Sequence, residues 1–243
     1  SPILDAPGYD LPGVFVGSEG TLGVATRITL RIVKRPEVVQ TLLAAFDSVQ
    51  AAGQTVSDII AAGMLPSALE IMDALSIQAA EAAVQAHYPV CKGLLLVELD
   101  GSRSEVEALM REVQTLCSNN GAWEIRVAQS ERERALVWKG RKAAFAAVGR
   151  ISPNYIVQDG VIPRTALPKI LDEIERLGKA SGLRVANVFH AGDGNLYPLV
   201  MYDRRMEGQE HAAEILSERI LELCIEMGGS ITGEHGVGEE KKH

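Results

Sequence analysis

The sequence predicts an α+β fold, an antiparallel sheet covered by helices on one face. Two observations carry this expectation. Short apolar runs with β-branched residues recur along the chain, many of them alternating so that only one side is fit for burial. Between them lie long segments with helical apolar periodicity. Strands buried on one side suit an antiparallel sheet, whereas a doubly wound parallel sheet would turn them into near-continuous apolar runs. There is no short-period internal repeat.

In chain order, residues 1–23 are turn-rich, with Pro2, Pro7, Gly8, Pro12, Gly13, Gly17, Gly20 and Gly23. The alternation of "VATRITLRIV" predicts a strand over 24–33, and "KRPE" ends it at the first domain boundary. Strands follow at 38–46 and 67–73, each leading into a helix, over 47–62 and 74–86. "GLLLVELDG" (93–101) reads as a strand stopped by Gly101. Ser102 stands three residues before Glu105, the spacing of a capping box. It opens a helix whose inner face is Val106, Leu109, Met110, Val113 and Leu116. A strand over 123–129 and a helix over 131–149 come next, then an extended segment over 155–163 closed by Pro163. Thr165 reads as the cap of a helix facing inward with Leu167, Ile170, Leu171, Ile174 and Leu177. "RVANVFH" and "NLYPLVMYD" form the two arms around a polar turn, and a long helix over 207–227 ends at Gly228-Gly229.

Composition narrows the function. Of 243 residues 47% are apolar, enough for a substantial core. No apolar run approaches the roughly 18 residues that span a bilayer. The formal charge of −8, with basic residues scattered among acidic ones, speaks against nucleic acid, which leaves a basic stripe. No basic amphipathic helix suggests a membrane surface. Cys91, Cys117 and Cys224 are odd in number and share no close spacing, so neither a disulfide framework nor a cysteine zinc site is expected. A reducing cytoplasm is the default, and Cys117 and Cys224, near the ends of apolar helical stripes, read as buried thiols. The start without methionine and the stop just after a glycine-rich motif predict a piece of a longer protein.

Chemistry concentrates in two motifs. "NVFHAGDGNLYPLV" (187–200) places His190 at the end of an apolar run, either as a satisfied, half-buried residue or as a ligand. Asp193-Gly194 alone is an ordinary turn dipeptide. "GGSITGEHGVG" (228–238) sets Glu234 and His235 between Gly233 and Gly236, where backbone can approach a ligand closely. Adjacent residues of an extended segment point to opposite sides, so one is placed to ligate a metal while the other faces a substrate. Glutamate and histidine suit zinc, manganese or iron. "GSEGTLG" (17–23) offers backbone N–H groups in glycine-rich turns, a cradle for a phosphate or a cofactor ring, or simply a structural turn.

"GVFVGSEGTLG", "WKGRKAA", "HAGDGN" and "GEHGVG", in this order, make the whole chain resemble the FAD-linked D-2-hydroxy-acid dehydrogenases, the flavin subunits of bacterial glycolate oxidases among them. The resemblance implies that residues 1–36 are the end of an FAD-binding α+β domain. It implies that residues 37–243 are a ferredoxin-like, substrate-binding cap, truncated at its end. Ser18, Glu19, Gly20, Thr21 and Gly23 then line the FAD site, and the fragment alone binds FAD poorly or not at all. The implied metal ligands fall on His190, Tyr197 and Glu234. Tyr197 stands where the family's metal-binding members have histidine, and a neutral phenol with a pKa of about 10 is a poor ligand, so metal binding is expected to be weakened or lost.

The same resemblance makes His235 the general base and Arg141 the grip on the substrate carboxylate, its planar fork suiting a bidentate hold. The alternative is that Arg141 is an ordinary surface residue of the 131–149 helix. Relatives acting on dicarboxylates place polar residues at the positions of Phe145, Val157 and Leu199; here all three are apolar, which favours glycolate or D-lactate. A larger D-2-hydroxy acid is the alternative substrate, and a non-catalytic module for subunit association the alternative role. Implied partners are flavoprotein-like and iron–sulfur subunits that pass electrons to a membrane quinone pool. That sets the protein in the cytoplasm, peripheral at the inner face of the membrane.

Overall fold

The computed structural model describes residues 8–239, 241 and 242, so Pro2 and Pro7 of the turn-rich start lie outside the described residues. Eight strands form one antiparallel sheet: β1 Val38–Phe46, β2 Ala68–Asp73, β3 Gly93–Gly101, β4 Glu124–Val127, β5 Asn154–Val157, β6 Gly160–Val161, β7 Arg184–His190 and β8 Asn195–Tyr202. The helices are α1 Leu11–Phe15, α2 Val49–Ala61, α3 Ala74–Val84, α4 Arg103–Asn119, α5 Glu131–Val148, α6 Leu167–Ser181 and α7 Gln209–Glu226. Strand order is β4-β1-β3-β2-β7-β8-β5, with β6 paired to β8.

That order contains a near-duplication. The run β1-α2-β2-β3-α4-β4 with spatial order β4-β1-β3-β2 is ferredoxin-like, α3 being inserted between β2 and β3. The run β5-α6-β7-β8-α7 repeats its first part, with order β5-β8-β7. The halves join edge to edge where β2 pairs with β7, Glu70 opposite His190, Ile71 opposite Phe189 and Met72 opposite Val188. Joining two sheets this way removes one exposed edge from each half.

Helices cover both faces of the sheet, not one. Leu42, Phe46 and Leu95 pack with Val56 and Ile59 of α2, Val113 of α4, Ile170 of α6 and Ile220 of α7. Leu43, Met72, Leu94 and Leu199 pack on the other side with Ile77 of α3 and Val137 and Ala144 of α5. The cause is visible in "LLAAF" of β1 and "LLLV" of β3, continuous apolar runs buried on both sides, as strands between two helical layers must be. Cys91, Cys117 and Cys224 are all buried free thiols.

Three local expectations fail. Residues 24–33 form no strand and lie exposed, because no neighbouring strand accepts their ladder of backbone hydrogen bonds. Ser102 occupies the N-cap of α4 without capping a backbone N–H; its hydroxyl faces Glu105 Oε2 at 3.5 Å instead. Thr165 lies inside a 3₁₀ turn, Arg164–Ala166, and the cap position of α6 falls on Ala166, with Pro168 in the first turn. Ser48, Asp73 and Ser130 do cap α2, α3 and α5 through their side chains.

Candidate functional site

The site lies on the seam between the two halves, on the sheet face covered by α3 and α5. The β7–β8 turn needs Gly194: its φ is +73°, and a Cβ there would stand 2.1 Å from the Ile162 carbonyl oxygen. Tight reversal sets His190 at the end of β7 beside Asn195 at the start of β8. Glu70, its neighbour across the seam, joins two cations. Its Oε1 lies 2.8 Å from His190 Nδ1. Its Oε2 accepts from Arg141 Nε at 2.9 Å, with Nη2 at 2.7 Å. Glu70 and Arg141 are only 6% and 4% exposed. The Glu70 hydrogen bond raises the His190 imidazole above its ordinary value, against the opposing effect of burial.

Arg141 reaches Glu70 because α5 comes in close. Gly140, one residue earlier, leaves no room for a side chain: a Cβ there would sit 2.5 Å from the Tyr88 hydroxyl oxygen, which itself donates to the Val137 carbonyl. Arg141 is thus a buried, ion-paired residue and not a surface one. Its guanidinium also stands over the Phe145 ring, 5.7 Å from the centroid.

Tyr197 of β8 is the hub of the aromatic contacts, 2% exposed. Its ring meets Phe145 and His190 edge-on, with centroids 5.5 and 5.4 Å away, and lies tilted against His235 at 5.3 Å. Asn195 Nδ2 donates to its hydroxyl at 2.9 Å and to Glu234 Oε1 at 3.3 Å. Burial, then the neighbouring Glu234, push the phenol pKa well above its ordinary value, so it stays protonated.

Glu234 and His235 sit on the loop after α7, tied to the sheet by the Val161–Ser230 bridge. Asp159, fully buried between β5 and β6, receives the loop's N–H groups: Oδ2 accepts from Glu234 N at 3.0 Å and His235 N at 2.7 Å. Burial pushes the Asp159 carboxyl up, but these N–H groups, His235's foremost, outweigh it and hold the pKa low. A cavity of about 310 Å³ opens beside the seam, lined by Glu70, Arg164, His190, Asp193 and Glu234.

The structure therefore brings together His190, Tyr197, Glu234, His235 and Arg141. Glu19 also arrives, its carboxylate accepting from Val237 N at 2.6 Å and Gly238 N at 2.9 Å. Ser18, Gly20, Thr21 and Gly23 stay in an exposed or half-exposed turn and touch none of the cluster. Glu70 and Asp159 join this cluster although neither belongs to the motifs. Glu70 did leave a signal, a charged residue in the middle of the strand "SALEIMD". Asp159 left only the turn dipeptide Asp-Gly.

The donor set does not suit a metal ion. No group of three His, Cys, Asp or Glu side chains converges among the described residues. The third position is a phenol that burial keeps protonated, so His190, with Nδ1 held by Glu70 and Nε2 open, and Glu234 make only two of the ligands a metal needs.

Residues 35–243 match the family described as FAD linked oxidases, C-terminal domain. The chain belongs to that family. Over 242 residues it is 53% identical to the glycolate oxidase subunit GlcD of Escherichia coli K12, covering 99% of this chain and 48% of that protein. The Bacillus subtilis GlcD is 38% identical, with 98% and 51% covered. An Arabidopsis thaliana mitochondrial D-lactate dehydrogenase [cytochrome] is 31% identical, with 97% and 42% covered. The chain spans about half the length of the curated relatives it matches. Among solved structures, an alkyldihydroxyacetonephosphate synthase superposes with a TM-score of 0.63 at 16% identity, covering 94% of this chain and 47% of that one. A p-cresol methylhydroxylase gives 0.62 at 12%, with 81% and 45% covered. At such identities the two superpositions establish the antiparallel α+β fold of this FAD linked oxidase domain, and nothing finer.

Proposed function

We propose that the chain is the substrate-binding cap, residues 37–243, with the end of a flavin domain, residues 1–36, of an FAD-dependent dehydrogenase. The whole enzyme oxidises glycolate or D-lactate to the 2-oxo acid. The observation that carries the reading is the meeting of "HAGDGN" and "GEHG" around Tyr197, within one cluster that also holds a buried arginine.

Of a flavin site this chain carries the 17–23 turn. Gly17 and Gly20 hold positive φ there with nothing within 4 Å of where a Cβ would stand, an open glycine turn that fits the approach of a cofactor. FAD, when bound, supplies the hydride acceptor; the remaining tasks fall to the chain. His235, exposed beside the Tyr197 ring, takes the hydroxyl proton. Arg141 holds the substrate carboxylate by sharing its fork with Glu70. The protonated Tyr197 hydroxyl, held in place by Asn195, donates a hydrogen bond where a metal would otherwise polarise the alcohol oxygen.

Substrate size follows from the wall behind this cluster. Phe145, Val157 and Leu199 all belong to the α3–α5 side of the core, and Leu199 is fully buried. A second carboxylate pressed against them would lose its hydration with no partner in return. GlcD is named as a subunit of glycolate oxidase; we read the present chain likewise as part of a complex with flavoprotein-like and iron–sulfur subunits, peripheral to a membrane. Among the described residues no helix is long and apolar enough to cross one.

The test is anaerobic bleaching of the flavin in the full-length protein by glycolate, D-lactate and D-2-hydroxyglutarate, wild type beside His235→Ala. Bleaching by a small monocarboxylate that the variant loses supports both substrate and base. Bleaching by D-2-hydroxyglutarate alone overturns the substrate assignment.

A further inference from the structure

The loop that carries Glu234 and His235 has no strand or helix of its own, yet six successive backbone N–H groups find acceptors. Gly233 N lies 3.2 Å from Asp159 Oδ2 and donates to the Asp159 carbonyl at 3.0 Å. Glu234 N and His235 N reach the same carboxylate at 3.0 and 2.7 Å. Gly236 N donates to Thr232 Oγ1 at 2.9 Å, and that hydroxyl in turn donates to Asp159 Oδ2 at 3.0 Å. Val237 N and Gly238 N then pass to Glu19. Two carboxylates thus hold the loop, Asp159 through the backbone of 233–235 and Glu19 through that of 237–238. Asp159 belongs to the cap and is fully buried; Glu19 lies in the "SEGTLG" turn, 218 residues from Val237.

We propose that Asp159 and Glu19 are positioning residues that clamp the 232–238 loop at its two ends and so fix His235 for proton transfer. The inference rests on His235 being the base of the reaction proposed above. Irregular backbone lacking partners would fray, and a base displaced by about 1 Å loses roughly a hundredfold in rate. Charged acceptors make the strongest hydrogen bonds to N–H groups, and here each carboxylate serves at least two. Glu19 therefore acts as a latch between the flavin-side turn and the catalytic loop, a role different from contact with the cofactor. The low pKa of both carboxyls agrees with N–H groups aimed at their ionised forms.

The experiment uses the full-length flavoprotein with Asp159→Asn and Glu19→Gln, each alone and combined with His235→Ala. Amide exchange over residues 232–238 reads the clamp directly and needs no substrate. Asp159→Asn is expected to speed exchange at 233–235, and Glu19→Gln at 237–238, by roughly tenfold or more. With the best hydroxy acid, kcat is expected to fall about 10- to 100-fold while KM changes little, and the loss should nearly vanish in the His235→Ala background. Equal losses in both backgrounds, or unchanged exchange, overturn the clamp. Asn at a buried site risks misfolding, so Glu19→Gln, at an exposed residue, carries the test independently. Loss of flavin with unchanged exchange at 237–238 would make Glu19 a cofactor contact and overturn the latch. If no hydroxy acid reduces the wild type, the reaction assignment falls, and exchange alone decides the clamp.

Discussion

Glu70 shows what one buried carboxylate can organise. It neutralises Arg141, gives His190 Nδ1 a partner and so leaves Nε2 as the ring's outward-facing nitrogen. Breaking such a pair leaves a cation buried without compensation, and Glu70→Gln should cost about 3–5 kcal/mol of stability by urea unfolding. A loss under about 1 kcal/mol would show the pair to be dispensable. The deficit should also depend on pH. The His190 imidazole is raised in the folded state, so the stabilisation from its pairing is full below the unfolded value of 6.5 and lost as pH rises through the folded value. Glu70→Gln should therefore lose more at pH about 5 than at pH about 9. His190, Tyr197, Glu234, His235 and Arg141 were legible in the sequence because each sits in a short motif. Glu70 and Asp159 were not, since their partners are 120 and 76 residues away and a strand register decides who meets whom.

Among the elements, β1, β3 and β7 were legible to the residue and β8 to within one residue, because these runs are bounded by turn residues. The stretch 24–33 has the same alternation and no strand: a strand is a relation between two segments, and the pattern names only one of them. Capping shows a similar split. Ser102 has the right spacing and spends its hydroxyl on Glu105, whereas Asp73 caps α3 through Ser76 N at 2.9 Å while also accepting from Asn187 N at 2.7 Å. The burial of Asp73 overrides these hydrogen bonds and pushes its pKa up to about 6. With the folded value raised above the ordinary 3.8, its contribution to stability is greatest below that value and declines as pH rises through about 6. The difference in urea midpoint between wild type and Asp73→Asn should accordingly shift between pH about 4 and about 7, in the variant's favour at the higher pH. A difference that stays constant across that range would mean Asp73 keeps an ordinary pKa.

Seen whole, the molecule is a ferredoxin-like half and a partial copy of it, fused through β2 and β7, and the seam is where Glu70 faces His190. Nothing in composition or periodicity shows that duplication, because it lives in strand order and its two copies share no short repeat. Helices on both faces turn the eight strands into one body, so residues 38–226 should unfold as a unit. Residues 8–35 stand apart: none is buried, and among the described residues their hydrogen bonds to the rest are those of Glu19 to the 237–238 backbone. In the 243-residue chain, trypsin should therefore cut first at Arg27, Arg31 and Lys34, since cleavage follows local opening and exposed backbone opens at almost no cost; Arg35 is shielded by Pro36. The trimmed product should melt within roughly 2 °C of the intact chain, because no apolar side chain leaves the core with the segment. Mass spectrometry of the fragments and calorimetry of the product read both outcomes. A product melting more than about 10 °C lower would place the segment inside the cooperative unit. The exposed Ile28, Leu30 and Ile32 would then have to pack against this domain, and not await a sheet elsewhere in a longer chain.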